Sequence, residues 1–68
     1  MPVTKVIEVI GTSSEGADAA VREAVASAGR SIRGISRVDV VSVGCDVEEG
    51  QIARWNAVVK ISFPVEPR

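Results

Sequence analysis

The sequence of 68 residues contains a single cysteine, Cys45, and no histidine. One cysteine excludes an internal disulfide, and without histidine there is no Cys/His metal cluster. A serine or cysteine nucleophile would also lack an imidazole base. Zinc modules and histidine-dependent hydrolases are therefore excluded, and we expect a protein that is not an enzyme. Cys45 has no base or second thiol near it in the sequence, so it is expected to be a small buried hydrophobe.

Excess basic charge and long apolar runs are missing as well. Eight Lys and Arg residues oppose nine Asp and Glu residues, which gives a formal net charge of −1. A pI near 5.3 argues against a nucleic-acid binder. No apolar run approaches the roughly 18 residues of a membrane span, and the first residues lack the charged start and cleavage site of a signal peptide. We expect a cytoplasmic protein that binds neither nucleic acid nor membranes.

The clearest element in the sequence is a helix predicted over residues 13–33. Its apolar residues recur at spacings of three and four, which places them on one stripe consisting of Ala17, Val21, Ala24, Val25, Ala28 and Ile32. Thr12 or Ser13 can cap the first free amides, and Glu15 follows Thr12 at the spacing of a capping box. Gly34 is predicted to end the helix in the left-handed conformation. Because the stripe is mostly alanine and valine, whatever packs on it must come close.

Three segments rich in β-branched residues predict strands at residues 3–10, 35–45 and 52–65. The third strand alternates strictly, and its predicted apolar face consists of Ala53, Trp55, Ala57, Val59, Ile61, Phe63 and Val65. An acidic turn at residues 47–51 precedes this strand, with Gly50 as the expected residue of positive φ. Pro64 has no amide hydrogen, so strand pairing is expected to loosen or end there.

The strand lengths lead to a prediction about assembly. The strand at residues 52–65 spans roughly 46 Å at about 3.3 Å per residue, whereas a helix of about twenty residues covers only roughly 30 Å. One helix cannot shield such a sheet, and the first two strands carry valine on both faces. We predict an α+β fold for the single domain 1–68, with a β-α-β-β order and a three-stranded antiparallel sheet around one helix. Copies of the same chain are expected to bury the remaining sheet surface.

These segments, in this order, resemble the dodecin family. The matching pieces are KVIEVIGTSSEG with its alanine-rich helix, the acidic turn, and the long last strand that ends in ISFPVEP. The resemblance covers nearly the whole chain. It implies a hollow homododecameric shell, in which flavin-binding members hold paired flavins between subunits and store or quench them without turnover.

Two positions depart from the pattern of the flavin-binding members. Their ring-stacking tryptophan corresponds to Arg37, and their flavin-binding glutamine corresponds to Asn56. Arg37 can stack its guanidinium plane on a ring, but it lacks an aromatic face and adds a charge. The resemblance makes Arg37 and Asn56 the candidate cofactor-binding residues for FMN, FAD or riboflavin. Arginine at this position also resembles a subgroup described as calcium dodecins.

Each candidate has a structural interpretation beside the functional one. For Arg37, an intersubunit ion pair with Asp39 or Glu8 of a neighbouring subunit is preferred to a contact with an anion or a ring. Asn56 is alternatively a solvated residue on the strand face. Trp55 is interpreted as a displaced stacking residue or, preferably, as a core residue, because it lies on the apolar face of its strand.

The acidic turn supplies the candidate metal ligands. Asp46, Glu48 and Glu49 offer oxygen ligands of the type that calcium prefers. They lack the spacing of a dedicated calcium loop, so a solvated turn is the alternative. Two functions remain open at this point. The first is a dodecameric shell that binds or stores a small ligand, with flavin as the family example, and the second is a flavin-free assembly that binds calcium or is purely structural.

Overall fold

The fold is a three-stranded antiparallel sheet with one helix on one side. In the computed structural model, which describes residues 3–65, the elements follow in the order β1 (Val3–Ser13), α1 (Ala17–Gly29), β2 (Arg37–Glu48) and β3 (Gln51–Val65). β3 lies in the middle of the sheet, with β1 and β2 as its antiparallel neighbours. The predicted α+β fold with β-α-β-β order is confirmed.

The alternation of β3 decides which face of the sheet is buried. Ala57, Val59 and Ile61 are fully buried against the helix. On β1, Ile7 pairs with Ile61 and Val9 with Val59, so these side chains join the same layer. The predicted apolar face of the third strand is confirmed from Trp55 to Phe63, whereas Val65 at its end is exposed. The core forms where this face meets α1.

The helix contributes alanines to this core and approaches β1 closely. Its buried residues are Ala20, Ala24 and Ala28, and Ala20 was missing from the predicted stripe. A Cβ added at Gly11 would collide with the Ala20 carbonyl oxygen and lie 2.9 Å from the Ala24 Cβ. Close packing on a small-residue stripe is therefore confirmed, and glycine on the facing strand permits it.

The helix begins later than predicted. Thr12 and Ser13 belong to β1, where they continue the ladder with β3, so the predicted capping box is wrong. The Ser13 hydroxyl instead accepts a hydrogen bond from the backbone N–H of Glu15 at 3.0 Å, which turns the chain toward the helix. Gly16 occupies the N-cap without a side-chain cap, and Ala17 is the first helical residue.

The helix also ends earlier than residue 33. Gly29 is its last residue, and the N–H groups of Ser31 and Ile32 bond to the Ala28 carbonyl at 3.2 and 3.0 Å. These bonds satisfy the final turn without a left-handed residue. Gly34 does adopt φ +75°, but it lies beyond the helix and turns the chain toward β2.

A tight turn joins β2 to β3. Glu48 and Gln51 are paired, so the loop consists of Glu49 and Gly50, with φ values of 53° and 78°. Positive φ at both central residues is the signature of a type I′ hairpin, whose twist matches that of the strands. The positive φ predicted for Gly50 is confirmed, and β2 continues past Cys45 to Glu48.

Pro64 lies where β3 is paired with β1 alone. The Ser62 carbonyl accepts the N–H of Ser36, which shows that the backbone groups of Ser62 face β2. Because backbone direction repeats every two residues, the nitrogen of Pro64 also faces that side, where the ladder has already ended. Pairing with β1 continues through Pro64 to Val65, so the predicted loosening is right toward β2 and wrong toward β1.

The helix covers only part of the sheet. The molecule is 53 Å long, while thirteen helical residues span about 20 Å. Residues 40–52, which we call the exposed arm, are all exposed. Cys45 lies in this arm, so its predicted burial is wrong in the single chain. Within residues 3–65 no helix is long and apolar enough to cross a membrane.

Candidate ligand and cation sites

The two candidate flavin-binding residues lie on the side of the sheet opposite the helix, which we call the outer face. Arg37 is the register partner of Ser62, whereas Asn56 is the partner of Gly44 on β2. Ser62 and Asn56 are separated along β3 by roughly 20 Å at about 3.3 Å per residue. One chain therefore does not bring Arg37 and Asn56 together, and a site that uses both takes them from two copies.

Arg37 forms an ion pair within its own chain. Its Nε donates to both carboxylate oxygens of Asp39, at 2.9 and 3.1 Å, and a terminal nitrogen lies 2.9 Å from Asp39 Oδ1. The hydrogen bond and the charge of Asp39 raise the pKa of the Arg37 guanidinium above its usual value. Asp39 binds one edge of the planar group and leaves its flat faces open, which is the geometry that stacking on a ring requires.

Asn56 lies in a row of three residues across the sheet. On one side the Thr12 hydroxyl donates a hydrogen bond to Asn56 Oδ1 at 3.0 Å. On the other side is Gly44, where an added Cβ would meet nothing within 4 Å. Sequence reasoning assigned Thr12 to a helix cap and did not find this contact, which becomes visible only with the register between β1 and β3.

Two of the three candidate calcium ligands form ion pairs with the same arginine, Arg54. The two terminal nitrogens of Arg54 lie 3.5 Å from Asp46 Oδ2 and 3.1 Å from Glu48 Oε2. Glu49 lies at the tip of the hairpin. Residues 3–65 contain no group of three or more acidic, histidine or cysteine side chains arranged to hold a metal. A cation at Asp46 and Glu48 would have to compete with Arg54 or recruit oxygens from another copy.

Trp55 lies on the opposite side of the sheet from Arg37 and Asn56. It is half-buried and packs against the buried cluster of the core. Its register partners are Ser13 on β1 and Cys45 on β2. This placement agrees with the core interpretation of Trp55.

A groove of about 430 Å³ runs between β1 and α1 on the helix side. Ile7, Val9 and Gly11 line it from the strand, and Ala24 and Ala28 line it from the helix. It contains neither candidate flavin-binding residue. The groove follows β1, an edge strand that has β3 as its sheet neighbour on one side.

Comparison with known proteins identifies the family of this fold. The family model described as Dodecin matches residues 3–66. The curated dodecin of Thermus thermophilus is 30% identical over 64 residues, which are 94% of this chain and 93% of that protein.

Solved structures agree with this assignment. The Streptomyces coelicolor dodecin superposes with a TM-score of 0.94 at 37% identity, and the match covers 98% of this chain and 96% of that one. The calcium dodecin of Mycobacterium tuberculosis, a calcium-chelating antigen with a novel calcium-binding site, gives 0.83 at 33% identity, with 96% and 93% covered. The chain therefore belongs to the dodecin family, whose members are non-enzymatic binding proteins.

Proposed function

We propose that this dodecin assembles into a closed homododecameric shell and binds or stores a small ligand, with flavin as the leading candidate, at its subunit interfaces. The observation that carries the proposal is the imbalance between buried and exposed apolar side chains. Within residues 3–65 the buried core comprises six residues, of which the largest are Ile61 and Val59. The exposed large hydrophobic residues are Val3, Val6, Ile10, Val40, Val41, Val43, Val47, Ile52 and Val65.

The exposed residues are too numerous and too clustered for a stable monomer. Val40, Val41, Val43, Val47 and Ile52 all lie in the exposed arm, and each is 45–60% exposed. Since each is already about half-buried, association can add only about half of the roughly 1.5–3 kcal/mol that full burial of such a side chain contributes. Summed over several residues of the arm, this gain favours association. With a single cysteine, the chain also cannot form the internal disulfide that commonly stabilises small folds. Copies of the same chain are the natural partner, because dodecins form homo-oligomers.

Assembly also explains how two distant residues can serve one ligand. Arg37 and Asn56 lie on the same face but roughly 20 Å apart in one chain. An interface between copies places Arg37 of one subunit near Asn56 of another. The guanidinium plane supplies a stacking surface, while the amide supplies hydrogen bonds to a polar ring edge.

Sedimentation and flavin fluorescence test the two parts of the proposal separately. Analytical ultracentrifugation at micromolar concentration should give a single species of twelve subunits, and a stable folded monomer would refute the shell. Titration of riboflavin with the assembled protein should quench flavin fluorescence. If riboflavin fluorescence is not quenched at any protein concentration, the flavin-binding part of the proposal is refuted and the shell part still stands.

A second candidate function is a flavin-free, calcium-binding assembly. The calcium dodecin of Mycobacterium tuberculosis favours it, since this chain is 33% identical to that protein. Asp46, Glu48 and Glu49 are the proposed ligands, with a calcium ion replacing Arg54 as the partner of Asp46 and Glu48. Thermal unfolding with calcium and with a chelator distinguishes this function from the first.

A further inference from the structure

We propose that Thr12 is a positioning residue that fixes which group Asn56 presents to a ligand, and that the ligand lies over Gly44. This inference rests on the proposed binding role of Asn56. It predicts a ligand that carries a hydrogen-bond acceptor, such as a ring carbonyl oxygen, at this point. The argument rests on the hydrogen bond on one side of Asn56 and on the open surface on its other side.

The first contact fixes the amide. The Thr12 hydroxyl has one proton, and it donates this proton to Asn56 Oδ1 at 3.0 Å. Because the amide oxygen is directed toward Thr12, the NH₂ group is directed away from Thr12 and presents donors to a ligand on that side. Thr12 and Asn56 are direct cross-strand partners with short side chains, so few rotamers preserve the contact. This orientation favours a ligand group that accepts a hydrogen bond, because a ligand amino group would meet an N–H instead.

On the other side of Asn56, the surface above Gly44 is open. A Cβ at Gly44 would touch no atom within 4 Å, so the outer face is uncovered there. Along the sheet, one flanking pair is Ser42 and Val58, and the other is Asp46 and Arg54. A flat group above Gly44 would contact Val58 on its apolar side and reach the amide of Asn56. This combination suits a planar ring that carries carbonyl oxygens.

Three variants of the full-length assembled protein test the role of Thr12 with riboflavin as the probe. Thr12→Val keeps the shape but removes the donated proton, and Thr12→Ser keeps the proton. Thr4→Val is the matched control, because Thr4 lies on the same face of β1, opposite Pro64 and far from Asn56. We expect Thr12→Val to weaken riboflavin binding about three- to tenfold, which is the effect of one net hydrogen bond. Thr12→Ser and Thr4→Val should remain within about twofold of the parent.

Crystal structures of the parent, Thr12→Ser and Thr12→Val proteins provide a readout that needs no ligand. We expect one ordered orientation of the Asn56 amide in the first two and a rotated or split amide in the third. An unchanged amide in Thr12→Val, or equal riboflavin affinity in all variants, would overturn the positioning role. If the parent binds no riboflavin, the proposed flavin function fails, and the orientation of Asn56 in the three crystals alone decides the role of Thr12.

Discussion

The helix-covered part of the sheet and the exposed arm use similar residues in opposite ways. Under the helix, Val59 and Ile61 are fully buried and define the core, whereas Val41 and Val43 in the arm are about half exposed. Both regions are paired with β3, although the ladder of the arm has two register shifts, between Val40 and Ser42 and between Asp46 and Val47. The difference is the layer that covers them. The protomer therefore folds around the helix, while the arm supplies apolar surface that we propose other copies bury.

The largest expected effect tests the helix-covered part. Gly11→Ala should destabilise the protein by about 3 kcal/mol, because the new Cβ collides with the backbone carbonyl of Ala20 and cannot be accommodated by side-chain rotation. Circular dichroism during thermal unfolding measures the loss. Gly44→Ala is the control in the exposed arm, where the Cβ meets nothing and should raise stability slightly through reduced chain entropy. Equal unfolding temperatures for Gly11→Ala and the parent would show that the close helix–strand contact is absent.

The next prediction tests the exposed arm. Replacing Val41 and Val43 together by Asp should abolish the large assembly, because charges would enter the surface that we expect copies to bury. Sedimentation velocity should show small species in place of a dodecamer. Ala26→Asp, which adds a charge at an exposed position of α1 outside the arm, serves as the control and should retain the large species. A double variant that still sediments as the parent would exclude the arm from the interface.

The sequence predicted the helix-covered part better than the sites. Strict alternation in β3 identified Val59 and Ile61 as core because burial follows a simple period of two. The helix start was misplaced because Ser and Thr are good caps in isolation, while here Thr12 and Ser13 are held by the ladder with β3. Local propensity cannot show which of two competing hydrogen-bond partners is chosen.

The candidate sites depended on register, which the sequence did not supply. Thr12 and Asn56 are 44 positions apart, and their hydrogen bond exists because β1 and β3 align Ile7 with Ile61. The two-residue hairpin pairs Val47 with Ile52, and the register shift that follows passes over Ala53 and brings Arg54 opposite Asp46. A loop one residue longer would shift this pairing and remove the contact.

A third prediction concerns the ligand on the outer face. Arg37→Trp should strengthen flavin binding about tenfold, because it restores an aromatic stacking face and removes a charge from the interface. Fluorescence quenching of riboflavin, titrated with both proteins, measures the change. Arg22→Trp is the matched control, since Arg22 is also an exposed arginine paired with a carboxylate, that of Asp18 on the helix. If Arg37→Trp binds no better than the parent, Arg37 does not occupy a stacking position.

A fourth prediction concerns calcium at the hairpin end of the arm. Millimolar calcium should raise the melting temperature relative to a chelator at matched ionic strength, since it binds the folded assembly and not the unfolded chain. Magnesium should act more weakly because it demands octahedral geometry. Arg54→Gln removes the cation that lies between Asp46 and Glu48 and should enlarge the calcium effect. Melting temperatures that are identical with calcium and with chelator in both proteins would remove the calcium function.

The smallest expected effect concerns the turn that sets the register of the arm. Glu49 has φ +53°, a left-handed conformation that costs a residue with a long side chain more than it costs asparagine. Glu49→Asn should therefore stabilise the folded protein by about 0.5–1 kcal/mol. Glu49→Gln removes the same charge without a preference for the left-handed region, so it separates backbone strain from electrostatics. The melting temperature should rise for Glu49→Asn and stay near the parent value for Glu49→Gln. An equal rise in both would attribute the gain to the lost charge, since Asp46, Glu48 and Glu49 are close in sequence and Arg54 pairs with two of them.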